Sequence, residues 1–277
     1  MQHAPYTLSV ITDEFSPRLE DGIAFAIEEQ LTTVDIRSID AVNFLSLERW
    51  QQERAAKHIA DAGLKVGCLA TPLLKWPAPG QSSQAKGDQF GFDAKGRSTE
   101  QIYRDAFEAA TLLGTRNLRI FTLLTYDGFQ PGDLREDFDL LLELAERYDA
   151  VLHVENEPVC NVQSVPGLVA LMQAWTHPRL RALLDIGNAW WAGKPPAQAD
   201  ILAIMPFVDQ LHFKDFDAAA RRVVPVGEGD IPYADLVRTC LSAAEGRTLA
   251  FSIETHVPAS PAHATRASLA GLRACLA

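Results

Sequence analysis

A chain of 277 residues with 47% hydrophobic side chains is long enough for one large α/β domain and short for two well-packed ones. A formal net charge of −11 repels a nucleic-acid backbone and an anionic membrane surface, which leaves small molecules as the fitting partners. The four cysteines form no CxxC pair, no basic stretch followed by an apolar one opens the chain, and no apolar run approaches the roughly 20 residues that span a bilayer. A cytoplasmic protein with reduced thiols is expected, and its assembly into a homo-oligomer is left open.

Eight short runs rich in Val, Ile, Leu or Phe follow in chain order: TLSVIT from Thr7, TVDIRSI from Thr33, LKVGCLA from Leu64, NLRIFT from Asn117, VLHVENE from Val151, LRALLDIGN from Leu180, VDQLHFK from Val208 and TLAFSIET from Thr248. Such runs, bounded by turn residues, read as buried strands. Between them, residues 47–62 carry apolar side chains at helical spacing, and residues 98–113 open on Ser98 as an N-cap with Glu100 in the first turn. Gly63 and Gly114 end these two helices, and residues 132–148 set acids at the start and Arg147 near the end, as the helix dipole favours. Strand and helix alternating at roughly 35 residues per unit predict a single (β/α)8 TIM barrel over residues 1–277. Neither GxGxxG nor GxxxxGK[ST] follows the first strand, so a Rossmann or P-loop phosphate cradle is missing. Residues 75–97, after the third strand and rich in Gly, Pro, Ser and Gln, read as a long loop. At that end of a barrel it is either a lid over the substrate or a surface insertion.

Active sites of such barrels lie where strands end. Strand 5 ends on Glu155 (HVENEP), strand 6 on Asp185 (LLDIGN), strand 7 on His212 (LHFKD) and strand 8 on Glu254 (SIETH). Taken singly, an acid at a strand end caps a helix or joins an ion pair, and a histidine fills a core. Taken together, carboxylates crowded at one rim repel one another unless a cation compensates them, and three carboxylates with one imidazole suit a single divalent ion: Mn2+, Mg2+, Co2+ or Zn2+.

These segments, with the VGEGDIPY loop from Val226 and more loosely TDEF at Thr12, DIR at Asp35 and ATPLLKW at Ala70, resemble the xylose isomerase-like barrel superfamily of sugar phosphate isomerases and epimerases, relatives of endonuclease IV. The resemblance implies Glu155, Asp185, His212 and Glu254 as the metal ligands, with Glu155 and Glu254 also acting as acid and base. Asn188 stands where epimerases of this superfamily often carry a histidine, three residues after the strand 6 aspartate, and is expected to hydrogen-bond a substrate hydroxyl instead. Thr71 and Thr122 stand at the ends of strands 3 and 4, where the nucleases place further zinc ligands, so one ion and no DNA-repair role are expected.

The implied chemistry is proton abstraction α to a carbonyl of a sugar, sugar phosphate or polyol, assisted by the ion, with one glutamate on each side of the substrate. A dehydratase of a polyol ketone or cyclic hydroxyketone shares that first step. A non-catalytic sugar-binding barrel with a structural metal is a reading of another class, disfavoured because closed structural zinc sites are built mostly from Cys and His. Lys214 and His153 each lie two residues from a quartet member on the same strand face and are substrate-binding candidates, with an ion pair and a place inside the barrel as their ordinary roles. Arg37 and Lys75 could meet a phosphate or carboxylate, with Asp35 as the ordinary partner of Arg37. Trp76, Trp190 and Trp191 could pack on a sugar face or in the core. His3, His58, His177 and His263 have no such setting.

Overall fold

The computed structural model describes residues 5–277, and His3 lies outside them. Eight parallel strands form the wall: β1 Tyr6–Val10, β2 Thr33–Ile36, β3 Lys65–Leu69, β4 Asn117–Ile120, β5 Val151–Glu155, β6 Leu180–Asp185, β7 Val208–Phe213 and β8 Leu249–Ile253. They pair in the order β1-β8-β7-β6-β5-β4-β3-β2, and one parallel bridge, Ile11 to Asp35, joins β1 to β2 across the seam. The (β/α)8 TIM barrel expected from the sequence is the fold. Its outer ring is α1 Leu19–Glu28, α2 Arg49–Asp61, α3 Thr99–Leu112, α4 Arg135–Arg147, α5 Val165–Ala174, α6 Gln198–Ile204, α7 Tyr233–Ala243 and α8 Pro261–Leu276.

The helices expected over 47–62, 98–113 and 132–148 are α2, α3 and α4. Ser98 Oγ accepts from Gln101 N at 3.2 Å, the cap expected for α3. The third is shorter because Pro131 starts a tight 3-10 turn, Pro131–Leu134, before the α-helix begins. The cysteines are all unpaired, with Cys68, Cys160 and Cys240 buried. Among the described residues no helix is long and apolar enough to cross a membrane.

Two layers of very different chemistry meet at the wall. Outward side chains such as Val34, Ile36, Leu118, Ile120, Leu152 and Val154 are buried against the helices, and each contributes roughly 1.5–3 kcal/mol by leaving water. The inside is polar. Asp35 accepts from Ser9 Oγ at 3.0 Å, Cys68 N at 2.8 Å and Gln210 Nε2 at 3.3 Å. Burial raises the Asp35 pKa despite these bonds.

Between β3 and α3 the chain has no regular secondary structure, and the expected loop 75–97 lies there. It is strapped across the C-terminal end of the barrel: Asn43 N donates to Gly91 O at 3.2 Å, Ser46 Oγ to Asp93 O at 3.0 Å and Gln89 Nε2 to Lys75 O at 2.8 Å. Gly91 has φ +72°, and a Cβ there would run into the Ala41 carbonyl.

After β7 the chain turns through a small hairpin, Asp215–Asp217 with Arg222–Val224, into the VGEGDIPY loop. The buried Asp215 carboxylate organises that loop, accepting from the backbone N–H of Phe216 at 2.8 Å, Gly227 at 2.9 Å, Gly229 at 3.2 Å and Ile231 at 3.1 Å. Gly229 has to be glycine because a Cβ would collide with this carboxylate. Asp215→Ala strips four amides of their acceptor and is expected to lower stability by roughly 2–4 kcal/mol, read as a fall in the urea midpoint at unchanged slope.

Candidate active site

Each member of the quartet is carried by a strand end. Glu155 closes β5 and Asp185 closes β6, His212 is the penultimate residue of β7, and Glu254 follows β8 directly. All four are no more than 2% exposed. One donor atom from each lies within 4.8 Å of the others, a grouping that could hold a metal ion. His212 Nδ1 sits between the two glutamates, 3.2 Å from Glu155 Oε1 and 3.4 Å from Glu254 Oε2. Asp185 also acts as a helix cap: its Oδ1 accepts from Asn188 N at 2.7 Å and starts the short helix Ile186–Trp191, leaving Oδ2 to face the cluster.

The crowded carboxylates are compensated by side chains, which revises the expectation that crowding by itself calls for an ion. Arg119, from the middle of β4 and 1% exposed, reaches Glu254 Oε1 at 3.1 Å and Glu155 Oε2 at 3.3 Å. Lys214 Nζ is 2.8 Å from both Glu254 Oε2 and Asp185 Oδ2. Arg37 pairs with Asp13 at 3.0 Å, Glu14 at 2.5 Å and Glu254 at 3.1 Å, not with the expected Asp35, which lies deeper in the barrel with Ser9 and Gln210. β2 stops at Ile36, so Arg37 leaves the wall and turns toward the start of the chain.

Burial and Glu254 push the Glu155 carboxyl upward, but His212 and Arg119 outweigh them and hold it below the ordinary carboxylate value. For Glu254 the burial penalty is likewise overcome, by Lys214, His256 and His212, and the carboxyl lies well below its usual range. Asp185 goes the other way: burial, offset only in part by Lys214, raises it to about 6. His212 resists burial because Glu155 and Glu254 flank it, and it rises to about 10. Two buried carboxylate oxygens of the quartet, Glu155 Oε2 and Asp185 Oδ2, have no hydrogen-bond partner among the described residues, since Arg119 and Lys214 approach them out of alignment. Buried oxygens left open in this way, in a set of three carboxylates and one imidazole, fit a divalent ion.

A cavity of about 490 Å³ is lined by partners of the quartet, while Glu155, Asp185, His212 and Glu254 themselves lie behind its lining. Its lining includes Lys214, Asn188, Arg37 and His256, each in contact with a quartet member. Asn188 Nδ2 donates to Asn156 O at 2.9 Å and to Glu155 Oε1 at 3.4 Å. Lys75 lines one side and pairs with Glu157 at 3.1 Å. The long loop contributes Lys86, Asp88 and Phe90, so it walls the cavity. Phe90 stands in the left-handed region, φ 53°, an unusual conformation for an aromatic residue, with the Arg37 guanidinium carbon 3.9 Å from its ring centre.

Not every candidate arrives there. His153 lies inside the barrel away from this cavity, its Nε2–H donating to Asn117 Oδ1 at 3.2 Å. Trp76 stacks on Phe92 and Tyr103, and Trp190 packs against the core; Trp191 is the tryptophan that lines the cavity. Thr71 and Thr122 are occupied with backbone, Thr71 Oγ1 donating to Arg119 O and Thr122 Oγ1 accepting from Val162 N. Four site residues escape the reading of strand ends. Arg119 is a charge within the apolar run NLRIFT, and Glu14 sits in the TDEF turn. His256 is two residues past Glu254, and Glu157 two past Glu155. A charged residue at an inward strand position was the available signal for Arg119.

Comparison with known proteins agrees with this architecture. The family described as xylose isomerase-like TIM barrel matches residues 24–275. Similar solved structures include a probable 3-DHS dehydratase of Bacillus anthracis involved in petrobactin synthesis, with 17% identity, TM-score 0.71, and 98% of this chain and 99% of that one covered. A zinc-bound protein named IOLI has 15% identity, TM-score 0.73 and 98% of each chain covered. The 3-keto-D-glucoside 4-epimerase YcjR of E. coli has 15% identity, TM-score 0.70, and 99% and 100% covered. At these identities they share the fold. No curated protein matches the sequence.

The buried imidazole of His153 yields a pH test. Burial lowers its pKa to about 4, against 6.5 in an unfolded chain. Below pH 6.5 the unfolded chain takes up a proton that the folded protein refuses, so this residue destabilises the fold as pH falls from 6.5 toward 4. The stability difference between the protein and His153→Gln is expected to move in favour of the variant by up to about 3 kcal/mol over that window, measured by urea unfolding at pH 7 and pH 4.

Proposed function

This chain belongs to the xylose isomerase-like TIM barrel family, and we propose that it is a divalent-metal-dependent isomerase or epimerase that moves a proton on the carbon next to a ketone of a sugar-like substrate. The observation that carries the reading is the convergence of Glu155, Asp185, His212 and Glu254 within 4.8 Å, with Glu155 Oε2 and Asp185 Oδ2 left without hydrogen bonds. A divalent ion bound there would polarise the substrate carbonyl and lower the cost of the negative charge that develops as the proton leaves.

The protein's own residues supply the rest. Glu155 and Glu254 are held ionised, the state a base needs, and they approach the site from strands three positions apart. In an epimerisation one glutamate, ionised, takes the α proton while the other, having taken up a proton in the substrate complex, delivers it to the opposite face; in an aldose–ketose exchange a single glutamate takes the proton and returns it to the neighbouring carbon. Lys214, in the lining of the cavity and in contact with both Asp185 and Glu254, brings a fixed positive charge to the substrate oxygen. Asn188, beside Glu155, is placed to hold a substrate hydroxyl.

A dehydratase begins with the same abstraction but needs a proton donor for the departing hydroxyl. Lys214 is a poor one, because its two carboxylate partners raise its pKa, and His153 is remote from the cavity. Both facts favour the isomerase or epimerase reading. A purely structural ion is disfavoured by the set of oxygen donors and by the neighbouring cavity, lined by Lys214 and Asn188, which contact the quartet.

The deciding experiment is metal analysis followed by incubation of the loaded protein with ketoses in deuterated water. Deuterium at an α carbon without loss of water supports the reading, loss of one water from the substrate moves the chain to the dehydratases, and no exchange with any ketose or cyclic ketone overturns both. Glu254→Gln is expected to keep part of the metal affinity while turnover falls about 10²–10⁴-fold. Because His212 is protonated at pH 7 in the metal-free protein, metal uptake in weak buffer should release about one proton per site, and affinity should rise as pH rises from 6 toward 8.

A further inference from the structure

The buried cations of the cavity are already matched to carboxylates. Arg37 is committed to Asp13, Glu14 and Glu254, Lys214 to Asp185 and Glu254, and Lys75 to Glu157. These three cations are each 4% exposed or less. Of the remaining basic residues of the lining, His256 lies 3.3 Å from Glu14 and 3.4 Å from Glu254, and Lys86 is exposed and has no ion pair among the described residues. Acids are at least as numerous around the same space: Asp13, Glu14, Asp88, Glu157 and Asp215.

Several backbone amides beside the cavity are likewise already taken. In barrels of this architecture a phosphate is commonly held by the loops after strands 7 and 8. Here the amides of Gly227, Gly229 and Ile231, in the loop after β7, donate to the Asp215 carboxylate. After β8, the amide of His256 donates to Glu14 Oε2 at 2.7 Å. The protein's own carboxylates therefore occupy these four amides. A dianion entering this cavity would have to break a buried ion pair and leave a carboxylate uncompensated, a costly exchange.

From these two observations we infer that the substrate is a non-phosphorylated polyhydroxylated ketone, and that the cavity discriminates against its phosphate ester. The reacting ketone rests on the proton-transfer reading above, whereas the discrimination rests on the cavity alone. Carboxylates at the rim accept hydrogen bonds from hydroxyl groups and repel phosphate. The ring of Phe90 offers an apolar face for the C–H side of the sugar chain. Among the buried cations of the lining, Lys75 is the one held by a single carboxylate, Glu157.

Binding of two matched, unreactive probes to the metal-loaded protein tests this without relying on turnover: D-sorbitol and D-sorbitol 6-phosphate, measured by calorimetry at fixed ionic strength. The free polyol should bind at least tenfold tighter than its phosphate. In Glu157→Gln, which releases Lys75, that ratio should fall about tenfold, and the variant's melting temperature reports whether it is folded. Equal or tighter binding of the phosphate by the unmodified protein overturns the inference. So does a ratio unchanged in folded Glu157→Gln, and so does an absence of saturable binding by either probe. Failure of the proton-transfer reading would appear elsewhere, as a lack of deuterium exchange with a discrimination ratio that still holds.

Discussion

Glu254 holds a negative charge where water does not reach it, and the C-terminal end of the barrel is arranged around that fact. Its Oε1 meets Arg37 and Arg119, and its Oε2 meets Lys214 and His212, so residues from or just beyond β2, β4 and β7 converge on a group at the end of β8. A single buried carboxylate without such partners would cost several kcal/mol or take up a proton. With them it stays ionised. The same constraint extends outward: Arg37 needs Asp13 and Glu14, and Glu14 in turn takes the amide of His256 and the hydroxyl of Thr255. The turns after β1 and β8 are thereby fixed to each other, near the seam where β1 and β2 share only one bridge.

This network explains why the barrel is polar inside and apolar outside. Because the hydrophobic core lies between wall and helices, packing and chemistry occupy different layers, and the inner face is free to carry Asp35, Arg119, His153, Gln210 and His212. Asp215 plays the corresponding part for the loop after β7, where one carboxylate replaces a set of tertiary contacts and obliges Gly229 to lack a side chain.

The quartet thus has two layers of compensation. Arg119 and Lys214 neutralise the cluster, yet they approach Glu155 Oε2 and Asp185 Oδ2 out of line, leaving these oxygens without hydrogen bonds. Residues that both balance charge and leave donor atoms unfilled are what a site needs if it is to fold before it is loaded.

The sequence by itself determined the repeat, the barrel and the strand ends that carry Glu155, Asp185, His212 and Glu254, because those follow from local periodicity: a buried strand is a short apolar run, and its last inward residue is read from alternation. It also located the long loop, whose composition has no periodicity to mistake. Arg37 was read against Asp35, two positions away on the same strand, and His153 was read as a neighbour of Glu155 for the same reason. Only the tertiary structure decided otherwise. Beyond Ile36 the backbone leaves the wall, which carries Arg37 to Asp13 and Glu14, and one step of alternation along β5 carries His153 down the barrel to Asn117. Closure of the barrel brings together Arg119, Glu14 and Glu254 from positions as far apart as 240 residues. Ion pairs between such distant residues leave no periodic trace in a single chain, since their geometry exists only once the β1–β2 seam has closed.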